Sequence, residues 1–289
     1  VTAVKSQQKL KIKDERLNID QIDQCRLSFF IGENTCQITV FDEQKKKLFL
    51  FESYTFDSSI VAFLEQLHHN HELVPAGFWP VIHIHIRNNK FCLVPNHLFD
   101  DNSAYNYIKL NTDTNPDEDN YAIQQHRPIM STYVFGYPAQ IQEWFFAKYK
   151  KTKIHIFHEG SSFLSSLDQH LLRLAKPSIY LNCTANSMMI AGFSGQKLMI
   201  YNQVKMNDIE QLPKIILISL EQFSNEGQDT PIMLWGVKKK IEKIKPLLLK
   251  YFKNLSMGKR PVNIKTADPF DELELYEYVE IFGSFSDEQ

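Results

Sequence analysis

Two stretches of the chain share one pattern of apolar and polar positions. The first is LSFFIGENTCQITVFDEQKKKLFLFESYTF, Leu27 to Phe56; the second is SIYLNCTANSMMIAGFSGQKLMIYNQVKM, Ser178 to Met206. Short runs of alternating or continuous apolar residues, bounded by turn formers, predict strand, turn, strand, turn, strand in each. Laid on each other, Asn34-Thr35 meets Asn186-Ser187, Ile38 meets Ile190 and Phe41 meets Phe193. A slightly shorter second turn in the later copy brings LFLFES onto LMIYNQ.

Downstream the period changes from strand-like to helical in both. After Phe56, DSSIVAFLEQLHHN places Ile60, Phe63, Leu64 and Leu67 on one helical face, with Asp57 as the expected N-cap. After Met206, NDIEQLPKIILISLEQF opens on Asn207 and Glu210 in a capping-box spacing, and Pro213 falls in the first turns or at a kink. Each copy continues with a short strand, one glycine and a helix: STYVFGYPAQIQEWFFAKYK with Gly136, and PIMLWGVKKKIEKIKPLLLKYF with Gly236. A further strand follows, TKIHIF (Thr152 to Phe157) and PVNIK (Pro261 to Lys265), then a helix, EGSSFLSSLDQHLLRLA and DPFDELELYEYVEIF. The predicted order is β-β-β-α-β-α-β-α, twice.

The two copies differ by an insertion at about 80–127 in the first. It holds PVIHIHIRNNKFCLVP, which reads as a hairpin turning at Asn88-Asn89, and NTDTNPDEDN, an acidic loop without periodicity. The expected organisation is an N-terminal extension over 1–26, a first lobe over 27–176 and a second lobe over 177–289. Each lobe should hold a mixed five-stranded sheet with flanking helices.

Two copies of this element order resemble the actin-like ATPase superfamily, which includes actin, sugar kinases and related chaperones. The fold class that this implies is α/β, a duplicated ribonuclease H-like fold. Within it the chain looks most like an uncharacterised bacterial family, mainly from Bacteroidetes, with that fold and no assigned activity; LVP running into NHLF, Leu93 to Phe99, carries the likeness. In active members of the superfamily each copy opens on a strand ending in Asp, one residue, then Gly, and the Asp holds magnesium directly or through water. Magnesium needs hard oxygen ligands, and the charge of a transferred phosphoryl group must be neutralised.

The matching positions here depart from that pattern. In the first copy they are Phe30, Ile31 and Gly32, followed by Glu33, Asn34 and Thr35; in the second they are Asn182, Cys183 and Thr184, followed by Ala185, Asn186 and Ser187. Phe30 cannot bind magnesium, and Asn182 offers a neutral oxygen only. The adenosine turn of the superfamily usually carries paired glycines, whereas this chain has Trp235 before Gly236. Glu159 stands near where active relatives carry a catalytic carboxylate or amide. The resemblance therefore leaves degenerate phosphate turns (Gly32, Glu33, Asn34, Thr35; Asn182, Thr184, Ser187) and a degenerate adenosine turn (Trp235, Gly236), with no catalytic residue and no cofactor expected.

Composition agrees with a globular α/β chain: 289 residues, 43% hydrophobic, net charge −2, and only 10 glycines against 21 phenylalanines. Cys25, Cys36, Cys92 and Cys183 show no C-x-x-C spacing and read as reduced thiols. The longest apolar runs, such as KIILISL, are too short to span a bilayer, and the N-terminal residues lack a signal-like apolar core; a cytoplasmic protein without membrane contact is the expectation. His83 and His85 share one face of a strand and are weak candidates for half of a metal site. Nine basic residues and one acid, Glu242, lie between Lys238 and Arg260, a face that could meet nucleic acid.

The leading reading is a non-catalytic interaction or scaffold protein, a pseudo-ATPase whose partner protein meets the 80–127 insertion, where the hairpin could also offer an edge strand. The alternatives are a divergent ATPase or small-molecule kinase using Asn182, Glu159 and Glu33, and a nucleic-acid-associated factor using the 238–260 face.

Overall fold

The computed structural model describes residues 6–171, 176–206, 208–224 and 227–286. The chain divides into two compact units. One holds residues up to 125 with 131–159 and 263–272; the other holds 126–130, 160–262 and the residues from 273 on.

In the first unit the strands are β1 (Ser6–Lys13), β2 (Cys25–Ile31), β3 (Thr35–Asp42), β4 (Lys47–Phe56), β5 (Val81–Ile86), β6 (Phe91–Pro95), β7 (Asp119–His126), β8 (Ser131–Pro138) and β9 (Lys153–His158), with helices α1 (Ile60–Asn70), α2 (Ala104–Asn111) and α3 (Ala139–Lys148). Six strands form one sheet in the order β1-β4-β3-β2-β5-β9. Every residue of the central β2 is buried, as the continuous apolar run CRLSFFI leads one to expect of a strand covered on both faces. Phe29 meets Phe145 of α3 edge-on, with ring centroids 4.9 Å apart. α1 buries Phe63, Leu64 and Leu67. The indole of Trp144 in α3 donates to Glu65 of α1 at 2.8 Å.

The second unit begins with most of α4 (Glu159–Leu171) and holds β10 (Ser178–Cys183), β11 (Ser187–Ser194), β12 (Lys197–Lys205), β13 (Ile232–Gly236) and β14 (Leu255–Met257), with α5 (Leu212–Glu221), α6 (Lys238–Leu248) and the short α7 (Val279–Gly283). The sheet order is β12-β11-β10-β13-β14. Its core joins Ile179, Leu181, Met188 and Ile190 to Leu212, Ile216 and Leu220 of α5 and Ile241, Ile244 and Leu248 of α6. Pro213 sits in the first turn of α5, where its missing N–H has no helical partner to lose. Asn207 lies outside the described residues; the short 3-10 turn before α5 is capped by Asp208.

Five expectations need correction. The first sheet has six strands, not five, because β1, from the segment read as an extension, pairs antiparallel with β4. The strand equivalent to β13 is β5, not β8: β5 pairs parallel with β2 as β13 does with β10. β5 and β6 do not form a hairpin, because β5 is hydrogen-bonded on both sides, to β2 and β9, and so offers no edge to a partner. The last strand of the second sheet is Leu255–Met257, which follows α6 closely enough to pair parallel with β13; Lys265 makes only a single bridge to Lys47. Ser59, not Asp57, caps α1, its hydroxyl accepting the Ala62 N–H at 3.3 Å.

The piece added between β5 and α3 is thus residues 87–138. It forms a separate sheet in the order β6-β8-β7, on which α2 packs Ala104 and Ile108 against Val134.

Candidate functional site

The two turns singled out in the sequence have matching main-chain geometry. Gly32 N–H donates to the Thr35 carbonyl at 2.9 Å, and Thr184 N–H to the Ser187 carbonyl at 2.9 Å. Phe56 N–H reaches the Asn34 carbonyl at 3.1 Å, and Met206 N–H the Asn186 carbonyl at 2.9 Å. The residue after the fourth strand closes each arrangement: Arg87 N–H donates to Ile31 O at 2.8 Å and Val237 N–H to Cys183 O at 3.0 Å. Glu33 and Asn34 are exposed at the tip of the first turn.

Side chains fill the first turn's surroundings from within. Phe30, opposite His85 in the β2–β5 pairing, stacks on its ring with centroids 4.3 Å apart and planes 8° from parallel. Glu159, at the start of α4, is fully buried and paired with the Arg87 guanidinium. The same guanidinium donates to the Gln37 side chain, whose amide donates to Ser53 at 3.3 Å. The chain Glu159–Arg87–Gln37–Ser53 thus joins α4, the end of β5, β3 and β4. A methyl at Gly32 would lie 2.8 Å from Thr35 Oγ1 and 3.5 Å from Arg87 Cδ, so the turn, too, is closely approached.

The second unit fills the same region differently. Asn182, fully buried opposite Trp235, donates to Glu280 of α7 at 2.8 Å, while its Oδ1 has no hydrogen-bond partner among the described residues. Thr184 Oγ1 lies 3.0 Å from Ser187 Oγ, which accepts from Gln203 at 3.1 Å. Trp235 is fully buried: its indole donates to Lys259 O at 3.1 Å, and Gly258 lies so close that a methyl there would fall 1.9 Å from the ring. Gly236 has φ 143°, and a Cβ would be 2.3 Å from Cys183 O, so only glycine fits. The Gly236 N–H is used by Tyr276 O at 2.9 Å.

The sequence-predicted residues therefore fall in two places. Gly32, Glu33, Asn34 and Thr35 form one turn, with Phe30 and Glu159 beside it; Asn182, Thr184, Ser187, Trp235 and Gly236 lie together at one end of the second sheet. Reading residues in sequence missed Arg87, Gln37 and Glu280. A signal for Arg87 was present, an arginine directly after the apolar strand VIHIHI.

His83 and His85 are buried in β5, 6.1 Å apart, with His155 5.3 Å from His83 and Phe157 against all three. Burial, then the charge of Arg26, holds both imidazoles well below their ordinary pKa. Among the described residues no group of three or more His, Cys, Asp or Glu is placed to hold a metal ion. The four cysteines are free thiols, and burial pushes Cys36 and Cys183 up to about 12. On α6, Lys239 and Lys243 are exposed while Ile241 and Ile244 are buried; Lys238 pairs with Glu274 at 3.0 Å. No described helix is long and apolar enough to cross a membrane.

Three antiparallel strands followed by two parallel ones, with a tight turn after the central strand, occur in both units, and this is the organisation of an actin-like ATPase fold. A protein of that fold and of unknown function from Bacteroides thetaiotaomicron matches with a TM-score of 0.77 over 94% of this chain and 99% of its own, at 13% identity. A structure described as the PilM-PilN type IV pilus biogenesis complex matches with a TM-score of 0.62 over 91% of this chain and 99% of that one, at 11% identity. The chain belongs to the family described as protein of unknown function (DUF3822), whose model matches residues 14–255. None of the curated proteins matches it.

Proposed function

We propose that this protein is a non-catalytic interaction or scaffold protein, a pseudo-ATPase. The observation that carries the reading is the pairing of Glu159 with Arg87, beside the stack of Phe30 on His85. Active relatives use this corner for a hard cation and a phosphate. Here an internal guanidinium already neutralises the Glu159 carboxylate, and an aromatic ring stands at the position of the metal ligand.

The partner contact is placed on the insertion, predicted at 80–127. Its outer strand β7 exposes Tyr121 and Ile123, and strands with a free edge can receive an extended segment. Pieces added to a shared scaffold commonly carry its specificity. A structure described as the PilM-PilN type IV pilus biogenesis complex shares this fold, which supports reading the fold as one that can meet a protein partner.

Isothermal titration with Mg-ATP tests the reading. No binding tighter than millimolar is expected. A micromolar signal with phosphate release would replace the proposal by a divergent ATPase or small-molecule kinase working through Asn182, Glu159 and Glu33. The exposed lysines of α6 favour a second reading, contact with a nucleic-acid backbone; a mobility shift that weakens steeply with salt would support it.

A further inference from the structure

The outward side chains of α6 form one stripe. Lys239, Lys243 and Pro246 recur at helical spacing, and the stripe runs on past the helix end into Leu249 and Lys250. All five are exposed, and Lys240 and Lys245 flank them half-exposed. The opposite side of the helix, Ile241, Ile244 and Leu248, packs into the core of the second unit. Glu242 is the single acid in α6. Glu274 and Asp229, carboxylates from outside the helix, pair with lysines to either side of the stripe, Lys238 at 3.0 Å and Lys253 at 3.3 Å. The exposed lysines between them face water.

Two apolar side chains stand out among these lysines. Leu249 is 49% exposed and Tyr251 is 42% exposed. The turn that carries them is held by its own backbone. Leu249 N–H donates to Lys245 O at 3.0 Å, Tyr251 N–H to Leu248 O at 3.0 Å and Phe252 N–H to the same carbonyl at 2.9 Å. Leu248 and Phe252, the residues on either side, are fully buried. They take the core positions of this segment, so Leu249 and Tyr251 are held outward.

A basic face that presents an aliphatic and an aromatic side chain on a rigid turn matches one kind of surface. Each lysine near an anionic membrane gains about fivefold in affinity from the negative surface potential. Leucine enters the boundary of the acyl chains, and tyrosine settles at the level of the headgroups. The phosphates of a nucleic acid would also satisfy the lysines. They would leave Leu249 without a contact, because it has no donor for a phosphate and no ring to stack on a base. Basic and apolar exposure together therefore favour a lipid surface over a nucleic acid.

We propose that this face of the second unit rests on an anionic bilayer surface, with the lysines of α6 at the headgroups and Leu249 and Tyr251 entering the interface. The contact is peripheral and needs no spanning helix, so the short apolar runs that led to an expectation of no membrane contact do not bear on it. It depends neither on the insertion nor on the pseudo-ATPase reading.

The test is flotation of the full chain with two kinds of vesicle, phosphatidylcholine alone and an equal mixture of phosphatidylcholine and phosphatidylglycerol. The protein should float with the mixed vesicles and stay behind with the neutral ones. Lys243→Gln/Lys250→Gln should lower the partition constant about 25-fold, two factors of five. Leu249→Ser/Tyr251→Ser should lower it about tenfold. Tyr121→Ala, in the insertion, should leave it unchanged. Tyr251→Trp should add fluorescence that lipids brominated on their acyl chains quench. Absence of flotation, equal flotation with both kinds of vesicle, or a partition constant indifferent to either double variant overturns the proposal. So does an unquenched Tyr251→Trp, which would leave the turn outside the interface. A mobility shift with RNA or DNA at the same ionic strength, without flotation, would overturn it in favour of a nucleic-acid backbone.

Discussion

Phe30 faces His85 across β2 and β5, and Asn182 faces Trp235 across β10 and β13, at equivalent places in two sheets that share five strands in the same order. The main-chain bonds around the two turns also correspond, down to Phe56 with Asn34 and Met206 with Asn186. The side chains do not. The first corner is held by an aromatic stack and a buried ion pair; the second by an amide bound to a carboxylate and by a glycine pressed onto its neighbour's backbone. A turn closed by its own backbone keeps its shape whatever its side chains do, so its presence reports a fold and not an activity.

Acid should separate the two units most strongly. Burial lowers the pKa of His83 and His85, and lowers His126 and His158 to about 4. The unfolded chain takes up these protons near pH 6.5 and the folded chain does not, so their stabilisation is complete above that pH and is lost as pH falls toward 4. At pH 5 each costs about 2 kcal/mol. Three of the four lie in the first unit, and hydrogen exchange at pH 7 and 5 should show that unit losing more protection. Equal losses would break the comparison.

Next in size is Arg87→Met, which removes the cation paired with the buried Glu159 carboxylate. Urea unfolding should show a loss of about 3–5 kcal/mol, largely restored in Arg87→Met/Glu159→Gln. Asn182→Ala removes only one donor from Glu280 and should cost about 1–3 kcal/mol. A larger effect from Asn182 than from Arg87 would reverse the roles assigned to the two corners. The glycines give the smallest contrast. Gly236→Ala carries about 1–3 kcal/mol of positive-φ strain in addition to a clash at 2.3 Å with the Cys183 carbonyl oxygen. Gly32→Ala meets the Thr35 hydroxyl, which can turn aside for about 1 kcal/mol. Melting temperatures of both variants would check the order.

The strand-turn-strand blocks were legible because their alternation is local, and so was the correspondence of Asn34 with Asn186. Three strand readings failed where something other than local alternation decides the pairing. Val81–Ile86 reads as half of a hairpin because the next apolar run, Phe91–Pro95, is close in sequence; its true partners, β2 and β9, are far away. Likewise PVNIK has a strand-like composition, but the shorter LSM nearer α6 takes the place beside β13. β1 hides in a lysine-rich segment because an outermost strand needs few apolar residues. At the candidate site, the facing positions Phe30 and Asn182 could be picked out from the sequence. The ion pair of Arg87 with Glu159 could not, because the two meet only through the parallel pairing of β5 with β9.

The separate sheet between β5 and α3 also bears on how the chain folds. To lay β9 beside β5 the chain must close over residues 87–152, whereas β14 joins β13 across residues 237–254. As a flexible chain the longer closure costs about 1 kcal/mol more entropy. The parallel edge of the first sheet is therefore completed after that of the second during refolding, although its residues are the earlier to leave the ribosome.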